Sequence, residues 1–337
     1  MHPRVTIVTP SFNQARFLEQ TLLSVLGQGY PDLEYIVIDG ASTDGSVEIL
    51  QRYAPYLAHW VSEPDSGQAE AINKGLRRAT GEIVAWLNSD DTYLPGAVVE
   101  AVEALRCHPE WGMVYGDVLS VNEDGSPINV MRYEQWGLED LASFHIIGQP
   151  AVFMRRAALE QAGLLDPSYH FLLDHHLWLR MARSAPVGYV PQVWAAGRFH
   201  AGAKNIAQAP SFGVEAHRIA AWLGQDPDFS ALFKVQKRKI LGGMHWLDGW
   251  YLSEGGLPGR SLAAFGRSFL FTPRRVLRDW QRLVYTFLML FSRERAHRLY
   301  TWLRGRRQPS LQDLPRWKPA SFAPFQKGGG HKPPQDG

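Results

Sequence analysis

The sequence predicts an α/β protein with a doubly wound, mostly parallel sheet flanked by helices, followed by a helical C-terminal extension. Strand and helix patterns alternate four times within the first 100 residues, separated by short polar loops. Residues 84–87 are four consecutive apolar residues, which is typical of a parallel strand covered on both faces. From residue 211 onward the apolar residues recur at helical spacing, which predicts the extension.

The elements follow from apolar runs and from the polar or Pro/Gly residues that end them. In the first part of the chain, this pattern predicts strands over 4–9, 34–38, 58–62 and 84–87, with helices over 14–27, 46–54 and 68–79. The second part predicts strands over 112–121, 127–133, 151–154 and 187–195. The helical part predicts helices over 211–224, 229–252, 260–271, 274–291 and 293–304. We therefore divide the chain into an α/β domain (1–208), a helical region (209–307) and a Pro/Gly-rich tail predicted to be disordered (308–337).

Composition restricts the class of protein. Of 337 residues, 45% are hydrophobic and 20% are charged, as in a globular protein. The net charge of +2 carries no nucleic-acid signature, and a single cysteine, Cys107, fits a reducing compartment. Since the chain enters a strand at once and has no apolar run of about 18 residues, we expect neither a signal peptide nor a transmembrane helix, and a cytoplasmic location.

The strand at 84–87 ends in four polar residues, Asn88, Ser89, Asp90 and Asp91. Ligands bind at this end of strands in open α/β sheets, and carboxylates there suit a divalent cation shared with a diphosphate. An ordinary turn is the alternative, because these residue types favour turns and helix N-caps. Polar residues also follow the first two strands, and the topology brings these loops to the same edge as Asp90.

Four motifs resemble those of the family 2 glycosyltransferases, which have the GT-A fold. The motifs lie at residues 6–13 (TIVTPSFN), 38–46 (IDGASTDGS), 62–75 (SEPDSGQAEAINKG) and 79–91 (ATGEIVAWLNSDD). The resemblance covers residues 4–205, and it implies a donor half at about 1–117 and an acceptor half at about 118–208. It also implies a nucleotide-sugar donor, with a UDP-sugar expected.

The resemblance implies a role for each matching residue. Thr9 and Pro10 would line the nucleoside pocket, and Asp39 would accept a hydrogen bond from the base. Asp44 lies in the loop that approaches the base and ribose. The full set assigned to the nucleotide is Thr9, Pro10, Ser11, Asp39, Asp44, Lys74, Asn88 and Ser89. For Lys74, a solvated helix lysine is the alternative.

The segment Asn88–Asp90 occupies the place of the family's Asp-X-Asp motif, with Asn in place of the first carboxylate. Asp90 is therefore the implied metal ligand, with Asp91 adjacent. The Arg-X-His pattern ending at His200 implies a further contact to the metal or the diphosphate, although a lone histidine is often structural. The implied cofactor is a divalent cation, Mn²⁺ or Mg²⁺.

Asp174 matches the position of the family's catalytic base, just before a helix; a helix N-cap is the alternative reading. Such a base is needed because a sugar hydroxyl is a poor nucleophile. One base opposite one leaving group predicts a single displacement with inversion. The residues assigned to the donor or acceptor sugar are Gln149, Pro150, His176 and Lys204. For Gln149, a simple loop amide is the alternative.

Residues 260–307 are basic and aromatic, with twelve arginines against one aspartate and one glutamate. Basic amphipathic helices fit an anionic membrane surface, which predicts peripheral contact near a lipid-linked saccharide acceptor on the cytoplasmic face. A helical bundle with a solvated basic face and a protein-binding surface are the alternatives. Nucleic acid is not expected, because no reader motif accompanies the charge.

The sequence thus predicts a metal-assisted, inverting glycosyltransferase in cell-surface polysaccharide or glycolipid synthesis. Two alternatives remain. A nucleotidyltransferase shares the acidic metal site, but no Gly-rich triphosphate loop follows the first strand. A non-catalytic sugar-nucleotide-binding or scaffold protein is compatible with Asn88 but not with a functional Asp174.

Overall fold

A computed structural model gives the fold and describes residues 2–292, together with residues 294, 296 and 298. These residues contain nine strands in one sheet, in the order β3-β2-β1-β4-β8-β6-β9-β5, with β7 paired to β6. The strands are β1 (Val5–Ser11), β2 (Leu33–Asp39), β3 (His59–Ser62), β4 (Ile83–Trp86), β5 (Thr92–Tyr93), β6 (Met113–Asn122), β7 (Pro127–Met131), β8 (Val152–Arg155) and β9 (Val187–Phe199). The helices of the α/β part are α1 (Ala15–Leu26), α2 (Ser46–Tyr53), α3 (Gln68–Arg78), α4 (Ala97–Cys107), α5 (Leu138–Ala142), α6 (Arg156–Ala162), α7 (Leu173–Ser184) and α8 (Lys204–Ala207).

The first four strands form the predicted parallel unit, because β1 pairs in parallel with β2 and β4, and β2 with β3. All seven residues of β1 are buried. Val8 packs in the core cluster that contains Ile72 of α3, whereas Ile7 packs in the cluster that contains Leu18 of α1. Two covered faces explain why the strand shows no alternation of apolar and polar residues.

Beyond β4 the sheet is mixed. The four-residue strand β8 lies antiparallel between β4 and β6, and β5 and β7 add antiparallel pairings. Only β6 and β9 pair in parallel in this half. Two strands end at least two residues later than predicted: β1 continues through Pro10 to Ser11 on its β2 side, and β9 runs to Phe199 because it stays paired with β6.

The helical region comprises α9 (Ala209–Gln225), α10 (Ser230–Glu254), α11 (Pro258–Phe271), α12 (Pro273–Arg278) and α13 (Trp280–Met289). The helix predicted over 274–291 is divided at Asp279 into α12 and α13. Ile219 of α9 and Leu247 of α10 share a core cluster with Trp178 of α7, so these helices pack on the α/β domain.

Two predictions lie outside the described residues: most of the helix over 293–304 and the disordered tail over 308–337. Across the described part of the chain, no helix combines the length and the apolar character that crossing a bilayer requires.

Candidate active site

The segment after β4 alternates between buried and accessible residues. Ser89 and Asp91 are buried, whereas Asn88 and Asp90 are partly exposed. The Oδ2 atom of Asp90 lies 3.0 Å from Nε2 of His200 at the end of β9. The structure therefore joins Asp90 and His200, two of the three residues that the sequence assigned to the metal, across 110 residues of sequence.

Asp91 points into the protein. Its Oδ1 accepts the backbone N–H of Arg198 at 2.9 Å, and its backbone oxygen accepts a hydrogen bond from Thr21. Burial first and then the neighbouring charge of Asp90 raise the pKa of Asp91 well above its ordinary value. In this arrangement Asp91 anchors the segment to β9, and its role as a metal ligand stays a prediction.

Arg198 is a site residue that sequence reasoning missed. Its guanidinium donates to the backbone oxygens of Asp90 and Glu123, and it stacks over the ring of Phe17 at 4.8 Å. The Arg-X-His pattern was visible in the sequence, but the arginine fell beyond the predicted end of the strand. Because it holds the backbone of Asp90, Arg198 fixes the position of the candidate metal ligand.

Three side-chain amides form a hydrogen-bonded chain across the site, which we call the amide chain (Gln68, Asn88 and Gln149). Gln68 Nε2 donates to Asn88 Oδ1 at 2.8 Å, and Asn88 Nδ2 donates to Gln149 Oε1 at 3.2 Å. Gln149 then donates to the backbone oxygen of Trp86 in β4 at 2.7 Å. The structure thus brings together Asn88 and Gln149, and it adds Gln68, which the sequence analysis did not assign.

Lys204 joins the amide chain from the segment after β9. Its Nζ donates to Gln68 Oε1 at 2.9 Å and to the backbone oxygen of His170 at 3.1 Å. Burial lowers the pKa of Lys204, and the carboxylates of Glu215, Asp174 and Asp90 act in the opposite direction. Lys204 is therefore within electrostatic reach of both Asp90 and Asp174.

The loops after β1 and β2 are bound to each other. Asn13 Oδ1 accepts the N–H of Thr43 at 2.9 Å, and the N–H of Asn13 donates to Ser42 Oγ at 2.7 Å. Asp44 Oδ2 accepts the N–H of Ala15, the first residue of α1, at 2.8 Å. We call this pair of loops, residues 12–15 and 40–46, the donor rim.

Asp39 lies beneath the donor rim with no exposed surface. Its carboxylate accepts hydrogen bonds from the backbone N–H and hydroxyl of Ser42 and from the hydroxyl of Ser62. Thr9 is equally buried, with its hydroxyl 3.0 Å from that of Tyr35. Both side chains are thus engaged within the protein, and direct contact of Asp39 with a base stays a prediction.

Pro10 and Ser11 are also buried, as the last residues of β1. The next residue, Phe12, is 61% exposed. Gly40 leaves room beside it, since a Cβ there would lie 2.8 Å from Asp65 Oδ2 and 3.3 Å from the Phe12 ring. Phe12 and Asp65 are thus accessible groups at this rim that the sequence analysis did not assign.

Lys74 of α3 is paired within the protein. Its Nζ lies 3.0 Å from Glu63 and 3.5 Å from Glu70, and these carboxylates raise its pKa. Both partners stand close to Asp65, on the loop and helix after β3. Nucleotide binding by Lys74 stays a prediction.

Asp174 is the second residue of α7 and is partly buried. It is not the N-cap residue, which is Leu172. Burial raises the pKa of Asp174 to about 6; the charge of Glu215 adds to the rise, and the N–H of His175 and the charge of Lys204 oppose it. A carboxylate with this pKa suits general base chemistry near neutral pH.

Glu215 of α9 holds the segment that leads to Asp174. Its buried carboxylate accepts the backbone N–H groups of His170, Phe171 and Leu172 at 2.6–2.9 Å. These contacts cross more than 40 residues of sequence, so no local pattern indicated them. We call residues 168–174 together with 200–204 the acceptor rim.

His176 lies in an aromatic cluster. Its ring stacks on Tyr169 at 4.4 Å and packs edge-on against Trp222 at 4.5 Å. Burial lowers its pKa to about 4, so the ring is neutral at physiological pH. Among the described residues its contacts are with this cluster, and a sugar contact by His176 stays a prediction. Pro150, also buried, forms the 3-10 turn of residues 149–151 before β8.

A cavity of about 570 Å³ opens beside His200. Its lining includes Arg16, Glu123, Asp124, Phe199 and Ile206. This volume lies within the range of about 300–1,000 Å³ typical of small-molecule sites. Charged and apolar groups thus meet next to the pair formed by Asp90 and His200.

A family model described as Glycosyl transferase family 2 matches residues 6–162. An uncharacterized glycosyltransferase of Mycobacterium tuberculosis is 31% identical over 188 residues, which are 53% of this chain and 69% of that protein. The putative teichuronic acid biosynthesis glycosyltransferase TuaG of Bacillus subtilis is 32% identical over 193 residues, which are 56% of this chain and 75% of that protein.

Solved structures share the fold. TarS residues 1–349 of S. aureus, in complex with UDP-GlcNAc, has a TM-score of 0.57 at 17% identity and covers 91% of this chain and 93% of its own. The mannosyltransferase PcManGT of Pyrobaculum calidifontis, in complex with GDP-Man and Mn²⁺, has a TM-score of 0.59 at 23% identity, with 90% and 88% covered. The architecture is that of the GT-A transferases, as the sequence predicted.

Proposed function

Because the chain belongs to glycosyl transferase family 2, we propose that it transfers a sugar from a UDP-sugar to an acceptor hydroxyl with inversion. One observation carries the proposal: Lys204 donates to Gln68 of the amide chain and to the backbone oxygen of His170, and the charges of both Asp90 and Asp174 act on its pKa. This arrangement supports one site that includes a candidate cation ligand and a candidate base.

Asp174 acts as the base in this proposal. The acceptor oxygen attacks the anomeric carbon while the bond from that carbon to the diphosphate oxygen breaks. The hydroxyl proton passes to the Asp174 carboxylate, whose pKa of about 6 keeps it mostly ionised at pH 7 yet able to accept a proton. NMR of the product tests the geometry of the displacement, and retention of the donor's anomeric configuration would contradict it.

Asp90 and His200 fit a divalent cation by their chemistry. Their side-chain oxygen and nitrogen lie 3.0 Å apart at the mouth of the site, and Mn²⁺ accepts both ligand types. Asn88 offers a neutral oxygen that Gln68 already engages. When bound, the cation offsets the charge that develops on the leaving diphosphate. Lys204 and Arg198 supply positive charge from the protein itself.

The donor is tested by thermal shift with UDP-, GDP-, dTDP- and CMP-sugars, each with and without Mn²⁺ or Mg²⁺. A ligand that binds only the folded state raises the melting temperature by mass action. We expect a metal-dependent rise with UDP-sugars, and an Asp90→Asn variant should lose the metal dependence. A rise with GDP-sugars alone would overturn the choice of uridine.

The acceptor we propose is a saccharide of a cell-surface polysaccharide or glycolipid. The similarity to TuaG, named for teichuronic acid biosynthesis, supports this class. Exposed apolar residues on α11–α13 and just after α13 support peripheral contact with an anionic membrane on the cytoplasmic face: Leu270, Leu277, Trp280, Phe287 and Phe291. Sedimentation with anionic but not neutral liposomes at physiological salt tests the contact.

A non-catalytic sugar-nucleotide-binding protein is the second candidate, and Asn88 is the observation that favours it. Binding of a donor without any transfer to saccharide acceptors, in the presence of either cation, would support this candidate over the enzyme.

A further inference from the structure

A cluster of two histidines and a carboxylate lies outside the candidate active site, between α9 and α10. It consists of His217 on α9 and of His245 and Asp248, one helical turn apart on α10, and we call it the interhelical triad. One potential ligand atom from each residue lies within 4.8 Å of the other two. Among the described residues this is the one group of three or more His, Cys, Asp or Glu side chains that meets this spacing.

The three side chains of the triad already contact one another in part. His217 Nε2 lies 3.2 Å from Asp248 Oδ2, and the two histidine rings pack edge to face with centroids 5.3 Å apart. His245 Nδ1 is inaccessible to solvent and has no hydrogen-bond partner among the described residues. A ring nitrogen without a hydrogen-bond partner is available as a metal ligand.

The packing of α9 against α10 leaves space for the carboxylate of Asp248. Gly213 lies one turn before His217 on α9, and a Cβ at this position would overlap Asp248 Oδ1. Asp248 itself is only 15% exposed. A glycine is therefore needed here for α9 to approach the triad.

We propose that the interhelical triad binds a divalent transition-metal ion of the zinc class. Zinc takes imidazole nitrogen and carboxylate oxygen at about 2.0–2.2 Å, and three protein ligands leave one position for water. Two ligand atoms at a tetrahedral angle on such an ion lie about 3.4 Å apart. Small rotations of the three side chains close the triad to that spacing.

The bound ion clamps α9 to α10. Glu215 lies two residues before His217 on α9 and holds the backbone of residues 170–172 ahead of Asp174. The clamp therefore fixes the helix that positions the candidate base. Its proposed role is to hold the two helices together, and it is separate from the candidate cation site at Asp90.

The test uses untagged full-length protein stripped with a chelator, carrying Asp90→Asn so that the donor site does not contribute. Zn²⁺ binding is measured by calorimetry, and Co²⁺ is used as a spectroscopic probe. We expect one equivalent of Zn²⁺ and the visible absorption of a four-coordinate Co²⁺ site. His217→Gln and His245→Gln should each weaken binding by at least about tenfold, because the loss of a mere outer-shell partner costs about 10–100-fold.

His108→Gln is the matched control. His108 also pairs with a carboxylate, Glu110, at 3.2 Å, but no third His, Cys, Asp or Glu side chain of the described residues joins this pair at ligand spacing. Its loss should leave Zn²⁺ affinity unchanged. Equal Zn²⁺ uptake by the parent and by a His217→Gln/His245→Gln protein would overturn the proposal, and so would a Co²⁺ complex of the parent with only the weak absorption of the hydrated ion. Because the Co²⁺ spectrum is read on the parent protein, a variant that fails to fold does not remove the test.

Discussion

The donor rim and the acceptor rim each place an aspartate beside a helix N-terminus, yet the two carboxylates have opposite properties. Hydrogen bonds from Ser46 and Ala15 outweigh desolvation at Asp44 and lower its pKa. At Asp174 desolvation outweighs the hydrogen bond from His175, and the pKa rises to about 6. The helix dipole favours the ionised form of both. Local hydrogen bonding and burial therefore decide which carboxylate anchors a loop and which is available to take a proton.

The largest expected effect is that of Asp174→Asn on turnover. The amide cannot accept the acceptor's proton, and general base catalysis contributes about 10²–10⁴-fold. We expect kcat to fall by about that factor, with the donor dissociation constant within a few-fold of the wild-type value. Steady-state kinetics and donor-binding calorimetry measure the two quantities.

Asp166→Asn is the matched control, since Asp166 lies in the same region but accepts hydrogen bonds from Ser168 that help to lower its pKa. Its kcat should stay within a few-fold of wild type. Comparable losses in the two variants would mean that the acceptor rim depends on acidic charge in general and has no dedicated base.

Glu215→Ala should produce the next effect, on stability. It leaves three backbone N–H groups of residues 170–172 without their acceptor, and the hydrogen bond to Leu172 is the buried one. Because a buried group left unpaired costs about 1–3 kcal/mol, we expect the free energy of unfolding to fall by about 2 kcal/mol or more in denaturant titrations. Glu63→Ala, which removes an exposed partner of Lys74, should cost less than about 1 kcal/mol. A loss below about 1 kcal/mol for Glu215→Ala would show that the acceptor rim is held by other contacts.

The two rims also differ in how far the sequence predicted them. Around the donor rim, apolar runs marked each parallel strand, and the topology rule for strand ends then gathered Asp39, Asp44 and Asp90 at one edge. Beyond β4 the hydrophobic pattern was insufficient to predict the sheet topology, because the sequence of a four-residue strand such as β8 does not show whether it pairs in parallel or antiparallel. The last residues of β9 were taken for a loop, so Arg198 was missed.

The other features that the sequence did not predict are contacts between residues far apart in the chain. Glu215 caps a segment more than 40 residues away, and nothing near it in sequence indicates that contact. Gln68 lies inside the family motif at residues 62–75, yet its hydrogen bond to Asn88 depends on how α3 packs at the end of β4. Residue types in the sequence were enough to name candidate site residues. The burial and the hydrogen-bond partners that set the pKa of Asp174 could be known only from the structure.

A third prediction concerns the pH dependence of stability at Asp174. Its folded pKa of about 6 exceeds the ordinary 3.8, so the folded state binds the proton more tightly. Wild-type stability relative to Asp174→Asn should therefore fall as pH rises from about 4 to 6 and stay constant above that. The difference between the two pKa values corresponds to at most about 3 kcal/mol. Denaturant titrations at pH 4 and 7.5 measure it, and equal differences at both values would contradict the raised pKa.

The smallest expected effect is that of Asp44→Ala, and its pH dependence has the opposite sign. Asp44 accepts the N–H of Ala15 and both donors of Ser46, much as an N-cap does, and such a loss costs about 0.5–2 kcal/mol. Because the folded pKa of Asp44 is lowered, this contribution is present at neutral pH and disappears as pH falls through the folded pKa. The stability gap between wild type and Asp44→Ala should thus narrow on acidification below the ordinary pKa of 3.8. The gap between wild type and Asp174→Asn should instead change in wild type's favour on acidification, and it should do so between about pH 6 and pH 4. If both gaps moved in the same direction, the contrast between a hydrogen-bonded donor rim and a desolvated acceptor rim would be wrong.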